Sequence, residues 1–166
     1  MKKLILLTTI IALFLCSCAK TTTTELTAEQ KATIEKEVLD QFKEYVSMRN
    51  QLDFDLWSKF WNSEDFIAAY TLYWGKKMSW SVWMDSVEVS FERRDRHHTE
   101  IIDLKATALA PDLALLTNVG VWENWWSGNY SKSSGCETQI WKRDQNGWRI
   151  IYVHESGQPI EEKSSN

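Results

Sequence analysis

The sequence predicts an α+β fold in which three helices lie on one face of an antiparallel sheet of four strands. Two observations predict it. Before residue 92 most apolar side chains recur at helical spacing, and from His97 onward apolar and polar residues alternate. Short segments rich in Gly, Asn, Asp and Pro separate the alternating runs, as turns do between neighbouring strands. Helices followed by a meander of strands are typical of α+β domains.

The first helix is predicted over residues 28–49. Thr27 and Gln30 are spaced as a capping box, in which each side chain accepts a hydrogen bond from the other residue's backbone N–H. Behind this start, apolar residues recur every three or four positions with charged residues between them. Asn50 is expected to end the helix.

Two shorter helices and one strand are predicted next. Asp53 is a suitable N-cap for a second helix, whose apolar stripe contains Leu56, Trp57, Phe60 and Trp61. Residues 66–73 are apolar and aromatic, so they are expected to form a short strand that Gly75 ends. The third helix is predicted over 78–92, and the charged residues that follow it form a turn.

The strands of the sheet begin at His97. The first should place Ile102, Leu104, Ala106 and Ala108 on one face. Pro111 and Asp112 then turn the chain into a long strand over 113–126, with a bulge or bend at Gly120.

Two further strands are predicted over 137–143 and 148–155. Residues 127–135 contain Ser, Gly and Asn, so they are expected to form a hairpin loop. Asn146-Gly147 is a strong signal for the last hairpin turn. The tail from Gly157 is expected to be polar and frayed.

The first 17 residues resemble a bacterial lipoprotein signal peptide. A positive start precedes an apolar run over 4–15, which is too short to span a bilayer as a helix. Leu15 stands three places before Cys18, and the small Ser17 comes directly before it. The resemblance implies cleavage before Cys18 and lipidation of that residue. An uncleaved apolar helix is the alternative.

This organisation predicts a protein attached to the membrane of a bacterial cell envelope through lipidated Cys18. Residues 18–26 form a tether, 27–156 a domain and 157–166 a tail. Ala19 replaces the Asp that retains Gram-negative lipoproteins at the inner membrane, which favours the outer membrane.

Charge and composition exclude several classes of partner. The formal net charge is −4, and it becomes −6 when the two lysines of the signal peptide are lost, so a nucleic-acid partner is not expected. No cofactor is expected, because the sequence has neither a phosphate-binding loop nor a dinucleotide fingerprint. No metal is expected either, because His97 and His98 diverge in a strand and lack a third ligand.

The ten tryptophans, which lie between Trp57 and Trp148, have two possible roles. They form the core and a dimer interface, or they line an aromatic pocket for an apolar or sugar-like ligand. Trp125 and Trp126 are adjacent on a strand, so they must point to opposite faces. The candidate ligand-binding residues are Trp57, Trp61, Tyr70, Trp80, Trp83, Trp122 and Trp148.

The order of these elements, and the closing run over 146–156 with its Gly-Trp start and its late His and Ser, carry a resemblance. Over residues 28–156 the chain resembles the nuclear transport factor 2-like superfamily, in its SnoaL-like or ketosteroid-isomerase-like branch. The resemblance implies a strongly bent sheet that holds the helices in its concave face, with an apolar pocket there. It also implies a homodimer through the opposite face.

His154 is the strongest polar candidate in the sequence. Strand periodicity places it with Tyr152, Trp148 and Ile150 on one face, and Glu155 on the other. If the first face is concave, His154 acts as a general base beside Tyr152. A histidine of the core or of an interface is the alternative.

Two functions stay open at this point. One is a lipid-anchored domain that binds a small apolar or amphipathic molecule, or that acts as a dimeric interaction module. The other is a SnoaL-like isomerase, dehydratase or hydrolase that uses His154 with Tyr or carboxylate partners, such as Asp103 or Glu123. Binding is favoured, because the catalytic residues of the family cannot be placed on this chain by motif.

Overall fold

The structure of the protein is a computed structural model that describes residues 25–71 and 77–161. Within these residues the chain forms three helices, a 3₁₀ turn and five strands, which together make the α+β fold that the sequence predicts. The helical elements are α1 (Ala28–Gln51), α2 (Phe54–Trp57), the 3₁₀ turn (Ser58–Phe60) and α3 (Trp80–Arg93). The strands are β1 (Ala68–Tyr70), β2 (Arg96–Ala110), β3 (Leu113–Trp126), β4 (Asn129–Asp144) and β5 (Gly147–Pro159).

The sheet is mixed and open, with the strand order β1-β5-β4-β3-β2. Strands β2 to β5 pair antiparallel as consecutive hairpins, and the short β1 pairs parallel to β5. The helices cover the concave face, where the apolar side chains of alternate sheet positions form one core with them. This is the cone-shaped arrangement that the resemblance implies.

Helix α1 begins at its capping box and is attached to the edge strand β2. The Gln30 N–H donates to the Thr27 hydroxyl at 3.2 Å, and the Thr27 N–H donates to the Gln30 side chain at 2.9 Å. The helix ends at Leu52, which adopts a left-handed conformation with φ of 57°. Asn50 therefore does not end it. Instead, its side-chain oxygen accepts from the Thr99 N–H of β2 at 2.9 Å, which satisfies an edge donor.

Helix α2 and strand β1 are shorter than the sequence predicts. Asp53 caps α2 by accepting from the Leu56 N–H at 2.9 Å, but Leu56 itself is exposed. Strand β1 covers only 68–70 of the predicted 66–73. The expected stop at Gly75 lies outside the described residues.

The predicted loop over 127–135 is wrong. The β3–β4 hairpin turns at Ser127 and Gly128, which have positive φ of 47° and 83°, and β4 begins at Asn129. A two-residue turn with both φ values positive matches the twist of the paired strands, so pairing continues to the turn. The frayed tail is wrong for a related reason, because the lengthened β4 pairs with β5 as far as Pro159.

Two bulges change which residues face the core. In β2 the register shifts between Ile101 and Asp103, which leaves Ile102 61% exposed instead of on the core face. In β5 the partners of Ile140 and Trp141 are Tyr152 and Ile150, so Ile151 is an extra residue. A bulge places two residues opposite one, and the side chains beyond it change faces.

Candidate functional site

A cavity of about 840 Å³ opens between α3 and the concave face of the sheet. Its apolar wall is built by α2, α3 and the segment before α3. The main apolar side chains of that wall are Trp57, Met78, Trp83, Val87 and Phe91. Trp57 and Trp83 are almost fully buried, so their rings present fixed faces to the space. A volume of this size, with mostly apolar walls, is typical of a small-molecule site.

The opposite wall of the cavity carries polar and charged groups. Arg49 comes from the last turn of α1 and Arg94 from the residue after α3, while Glu155 comes from β5. The Arg94 guanidinium carbon lies 4.9 Å from the ring centre of Trp126, which also lines the cavity. This cation–π contact holds the Arg94 charge at the end of β3.

Trp125 and Trp126 point to opposite faces, as the sequence predicts. Trp126 faces the cavity, whereas Trp125 packs against Tyr130 with ring centres 5.1 Å apart. Arg96 lies over Trp125 at 4.5 Å, as Arg94 does over Trp126. The two pairs are similar in chemistry, but only the inner one belongs to the cavity.

Two carboxyl groups meet on the concave face of the sheet. Glu137 of β4 and Glu155 of β5 are directly opposite in the strand register. Glu137 is only 2% exposed, and it accepts hydrogen bonds from Gln139 at 2.5 Å and Asn118 at 3.3 Å. The Gln139 side-chain oxygen in turn accepts from the Trp141 indole at 2.8 Å. This network fixes Glu137 behind the cavity wall.

Burial makes both carboxyl groups weaker acids than an exposed carboxyl group. Desolvation, with the negative charge of Glu155 as the next cause, raises the pKa of Glu137 to about 7. Desolvation likewise raises the pKa of Glu155, although the positive charges of Arg49 and Arg94 oppose the change. The pair can therefore hold a proton at a pH where an exposed carboxyl is ionised.

Tyr45 lies between this pair and the aromatic wall. Its ring is buried, lines the cavity, and packs against Trp57 with centres 5.5 Å apart. Burial and the nearby negative charges of Glu137 and Glu155 raise the pKa of Tyr45 well above its ordinary value. It is thus a neutral phenol at the boundary between the apolar and polar walls.

The seven predicted ligand-binding residues are distributed over several places. Trp57 and Trp83 line the cavity. Trp61, Trp122 and Trp148 are buried elsewhere, and the Trp148 indole donates to Glu37 of α1 at 2.9 Å. Trp80 is half-buried against Phe66, and Tyr70 contacts Tyr152 and His154 on the other side of the sheet.

The predicted orientation of Tyr152 and His154 is wrong. Trp148 and Ile150 are buried in the core as expected, but the bulge at Ile151 reverses the alternation beyond it. His154 is exposed and does not line the cavity, whereas Val153 is fully buried and Glu155 faces inward. Sequence reasoning therefore missed Glu155. The adjacent apolar pair Ile150-Ile151 is the signal of the interrupted alternation.

The other sequence candidates lie away from the cavity. Asp103 is exposed. Glu123 accepts from the Tyr130 hydroxyl at 2.8 Å and pairs with Lys132 at 2.8 Å. His97 is buried between Asn124 and Thr99, and desolvation lowers its pKa to about 2, so it is a neutral structural residue.

Metal sites and membrane-spanning helices are both absent from residues 25–71 and 77–161. Within these ranges no group of His, Cys, Asp and Glu side chains could hold a metal ion. The helices that they contain are too short or too polar to cross a membrane. Cys18, the predicted lipidation site, lies outside the described residues.

Solved structures of other proteins share this arrangement of helices and sheet. A nuclear transport factor 2-like superfamily protein from Salmonella enterica serovar Typhimurium is 16% identical with a TM-score of 0.67, over 81% of this chain and 96% of that one. This chain has the nuclear transport factor 2-like fold. No family model and no curated protein matches it by sequence.

Two further proteins with the nuclear transport factor 2-like fold have names that describe unrelated functions. A candidate scytalone dehydratase from Novosphingobium aromaticivorans is 6% identical with a TM-score of 0.68, over 81% of this chain and 89% of that one. The association domain of C. elegans CaMKII is 13% identical with a TM-score of 0.61, over 77% of this chain and 98% of that one. At these identities the similarity concerns the fold, and function has to be argued from the site.

Proposed function

We propose that this protein is a lipid-anchored domain of the bacterial cell envelope that binds a small apolar or amphipathic molecule. The aromatic cavity of about 840 Å³ is the observation that carries the proposal. Its rigid indole walls can stack on a ring, and its polar groups are gathered at one side, which orients a ligand that has a polar end.

Calorimetric titration of the full chain with 2-naphthylmethanol tests the binding function. Ser86 and Ser90 stand one helical turn apart on α3 and line the cavity. The double variant Ser86→Phe/Ser90→Phe adds two rings to that space and should abolish binding. Ser81→Phe, on an exposed position of the same helix, is the matched control and should bind normally. Equal binding by all three proteins would place the ligand outside the cavity and refute the proposal.

The membrane anchor belongs to the same proposal and has its own test. The apolar run over 4–15 and the position of Cys18 after it support lipidation. Cys18→Ser should move the protein from the membrane fraction to the soluble fraction, and the variant should no longer incorporate labelled fatty acid. Continued attachment without the thiol would refute the anchor. In cells with two membranes, density-gradient separation should find the native chain in the outer one.

Homodimer formation through the outer face of the sheet is also part of the proposal. Val119 on that face is 40% exposed, and one neighbour with the same fold is an association domain. Val119→Arg should convert a dimer to a monomer in sedimentation velocity. Val82→Arg, at a similarly exposed site on α3, should leave the dimer intact. A native chain that sediments as a monomer would refute this part.

A second candidate function is acid–base catalysis on the bound molecule. The specific observation is the Glu137–Glu155 pair, because a carboxyl group with a raised pKa beside an apolar site suits proton transfer near neutral pH. Glu155 reaches the cavity and takes the role that the sequence assigned to His154.

Deuterium exchange measures this second function directly. With 2-tetralone in heavy water, the full chain should accelerate exchange of the protons next to the carbonyl, which NMR follows. Glu155→Gln should lose the acceleration, while His154→Gln should retain it. An unchanged rate in Glu155→Gln would remove Glu155 from the reaction.

A further inference from the structure

We infer that the cavity prefers an amphipathic anion, a ring system that carries one carboxylate or a similar acidic group. The inference rests on the proposed binding function and names the class of ligand. Three features of the cavity support it: the sign of its charge, the state of Glu155 and the kind of hydrogen-bonding groups in its walls.

The cavity has the opposite charge sign to the chain. The whole chain has a formal net charge of −4. The cavity, however, is lined by three arginines, Arg49, Arg93 and Arg94, against two acids, Asp85 and Glu155. Asp85 and Arg93 are exposed, whereas Arg49, Arg94 and Glu155 are half-buried, so two inner arginines face one inner acid. Because charges interact more strongly where water is excluded, the inner arginines dominate the field that a ligand meets.

The two inner arginines can bind an anion in addition to their contacts within the protein. A guanidinium carries five N–H donors in one plane, so a contact on one edge leaves others for a carboxylate. Arg94 is also held against the Trp126 ring at 4.9 Å, which limits the entropy it loses when a ligand binds. An acidic group that enters beside Trp126 thus meets a pre-positioned donor.

Glu155 does not oppose an anion as strongly as an exposed carboxylate would. Burial raises its pKa, and Glu137 lies directly opposite it in the register. An approaching anion favours the protonated form of Glu155 further, because like charges disfavour ionisation. In its protonated form the carboxyl can donate a short hydrogen bond to the anion.

One buried polar group in the apolar wall is also a donor. Trp83 is 6% exposed and lines the cavity, and its indole N–H has no hydrogen-bond partner within the described part of the chain. An indole can donate but cannot accept. The buried donor therefore favours a ligand rich in acceptors, as the arginines do, and the rings of Trp57 and Phe91 favour an apolar body.

Three ligands that share one ring system test the inference by calorimetry on the full chain at pH 7: 2-naphthoate, 2-naphthylmethanol and 2-naphthylmethylammonium. The naphthoate should bind at least about tenfold more tightly than the alcohol, and the ammonium most weakly. Arg94→Gln should weaken naphthoate binding by about tenfold or more and change the affinity for the alcohol less than about twofold. Arg96→Gln, which alters the matching arginine–tryptophan pair on the outer face, should change neither.

Each outcome separates the inference from the function on which it rests. If the alcohol binds in the cavity as tightly as the naphthoate, the anion preference is refuted and the binding function stands. If the ammonium binds most tightly, the sign of the cavity charge is refuted. If no ligand binds, both are refuted. Should Arg94→Gln fail to fold, Arg49→Gln and the three-ligand comparison on the native chain decide the same question.

Discussion

The buried carboxyl of Glu137 should make the protein less stable as the pH rises, and Glu137→Gln should remove that loss. The substitution keeps the size of the side chain and removes its charge. Glu137 accepts from Gln139 and Asn118, and the Asn118 side-chain oxygen has no partner within the described residues. Rotation of the Asn118 amide lets that oxygen accept from the side-chain amide that the substitution introduces, so the side chain at this position keeps both of its hydrogen bonds.

The size of the effect follows from the pKa of Glu137. In the native state burial raises this pKa from 4.5 to about 7. Because the native state holds the proton of Glu137 more tightly than the unfolded state, this pKa difference contributes its full stability below pH 4.5. The contribution is lost as the pH rises through about 7. The difference between the two pKa values, at about 1.4 kcal/mol per pH unit, amounts to about 3 kcal/mol.

Urea unfolding followed by tryptophan fluorescence at several pH values measures the effect. The free energy of unfolding of Glu137→Gln, minus that of the native chain, should rise by about 3 kcal/mol between pH 4.5 and pH 8. The titrating groups other than the neighbouring Glu155 are common to both proteins, so their contributions largely cancel in the difference. If the difference between the two free energies of unfolding does not change with pH, Glu137 is not a buried carboxyl with a raised pKa.

Glu123→Gln is a control for the sign of this effect. Hydrogen bonds from Lys132, and next from Tyr130, lower the pKa of Glu123. Ionised Glu123 thus favours the native state, and its removal should give no gain in stability as the pH rises. A gain in both variants would indicate a general effect of removing negative charge rather than burial of Glu137.

Three further predictions concern stability. Gly135→Ala should lower the free energy of unfolding by about 3 kcal/mol or more, because a Cβ there would overlap the Ser156 carbonyl oxygen. Gly128→Ala, with a φ of 83° and open space around it, should lower it by about 1 kcal/mol. Equal losses in urea unfolding would contradict the close approach of β4 and β5. Trp141→Phe should lower the free energy of unfolding by about 1–3 kcal/mol, because the buried Gln139 side-chain oxygen loses its hydrogen-bond donor. An unchanged midpoint of urea unfolding would show that the network is dispensable. Relative to His97→Gln, the native chain should lose about 1.4 kcal/mol of unfolding free energy per pH unit as the pH falls below 6.5. The reason is that the unfolded state takes up a proton that native His97, with a pKa of about 2, does not. Parallel pH profiles of the two proteins would show that His97 is not buried as a neutral group.

Local sequence signals predicted the elements and their order correctly. The capping box at Thr27, the Asp53 cap and the turn over 144–147 act within a few residues, so they can be read without the fold. The bounds of β3 were predicted to the residue because turns enclose it on both sides. Adjacent strand residues alternate in direction, which is why Trp125 and Trp126 were correctly assigned to opposite faces.

The composition of the site needed the tertiary structure. Strand alternation assigned His154 to the concave face, but pairing with β4 places an extra residue at Ile151 and turns Glu155 inward instead. Whether a strand holds a bulge depends on the register of its neighbour, which sequence periodicity does not contain.

The sequence by itself determined an acidic chain with an apolar N-terminal run, three helices and then a meander rich in tryptophan, because composition and periodicity are properties of the chain alone. Only the tertiary structure decided that Trp57, Trp83 and Trp126 share one cavity, and that Arg49 and Arg94 lie with Glu155 in its polar wall. These residues come from distant parts of the chain, and their meeting depends on how a bulged sheet curves around the helices that it holds.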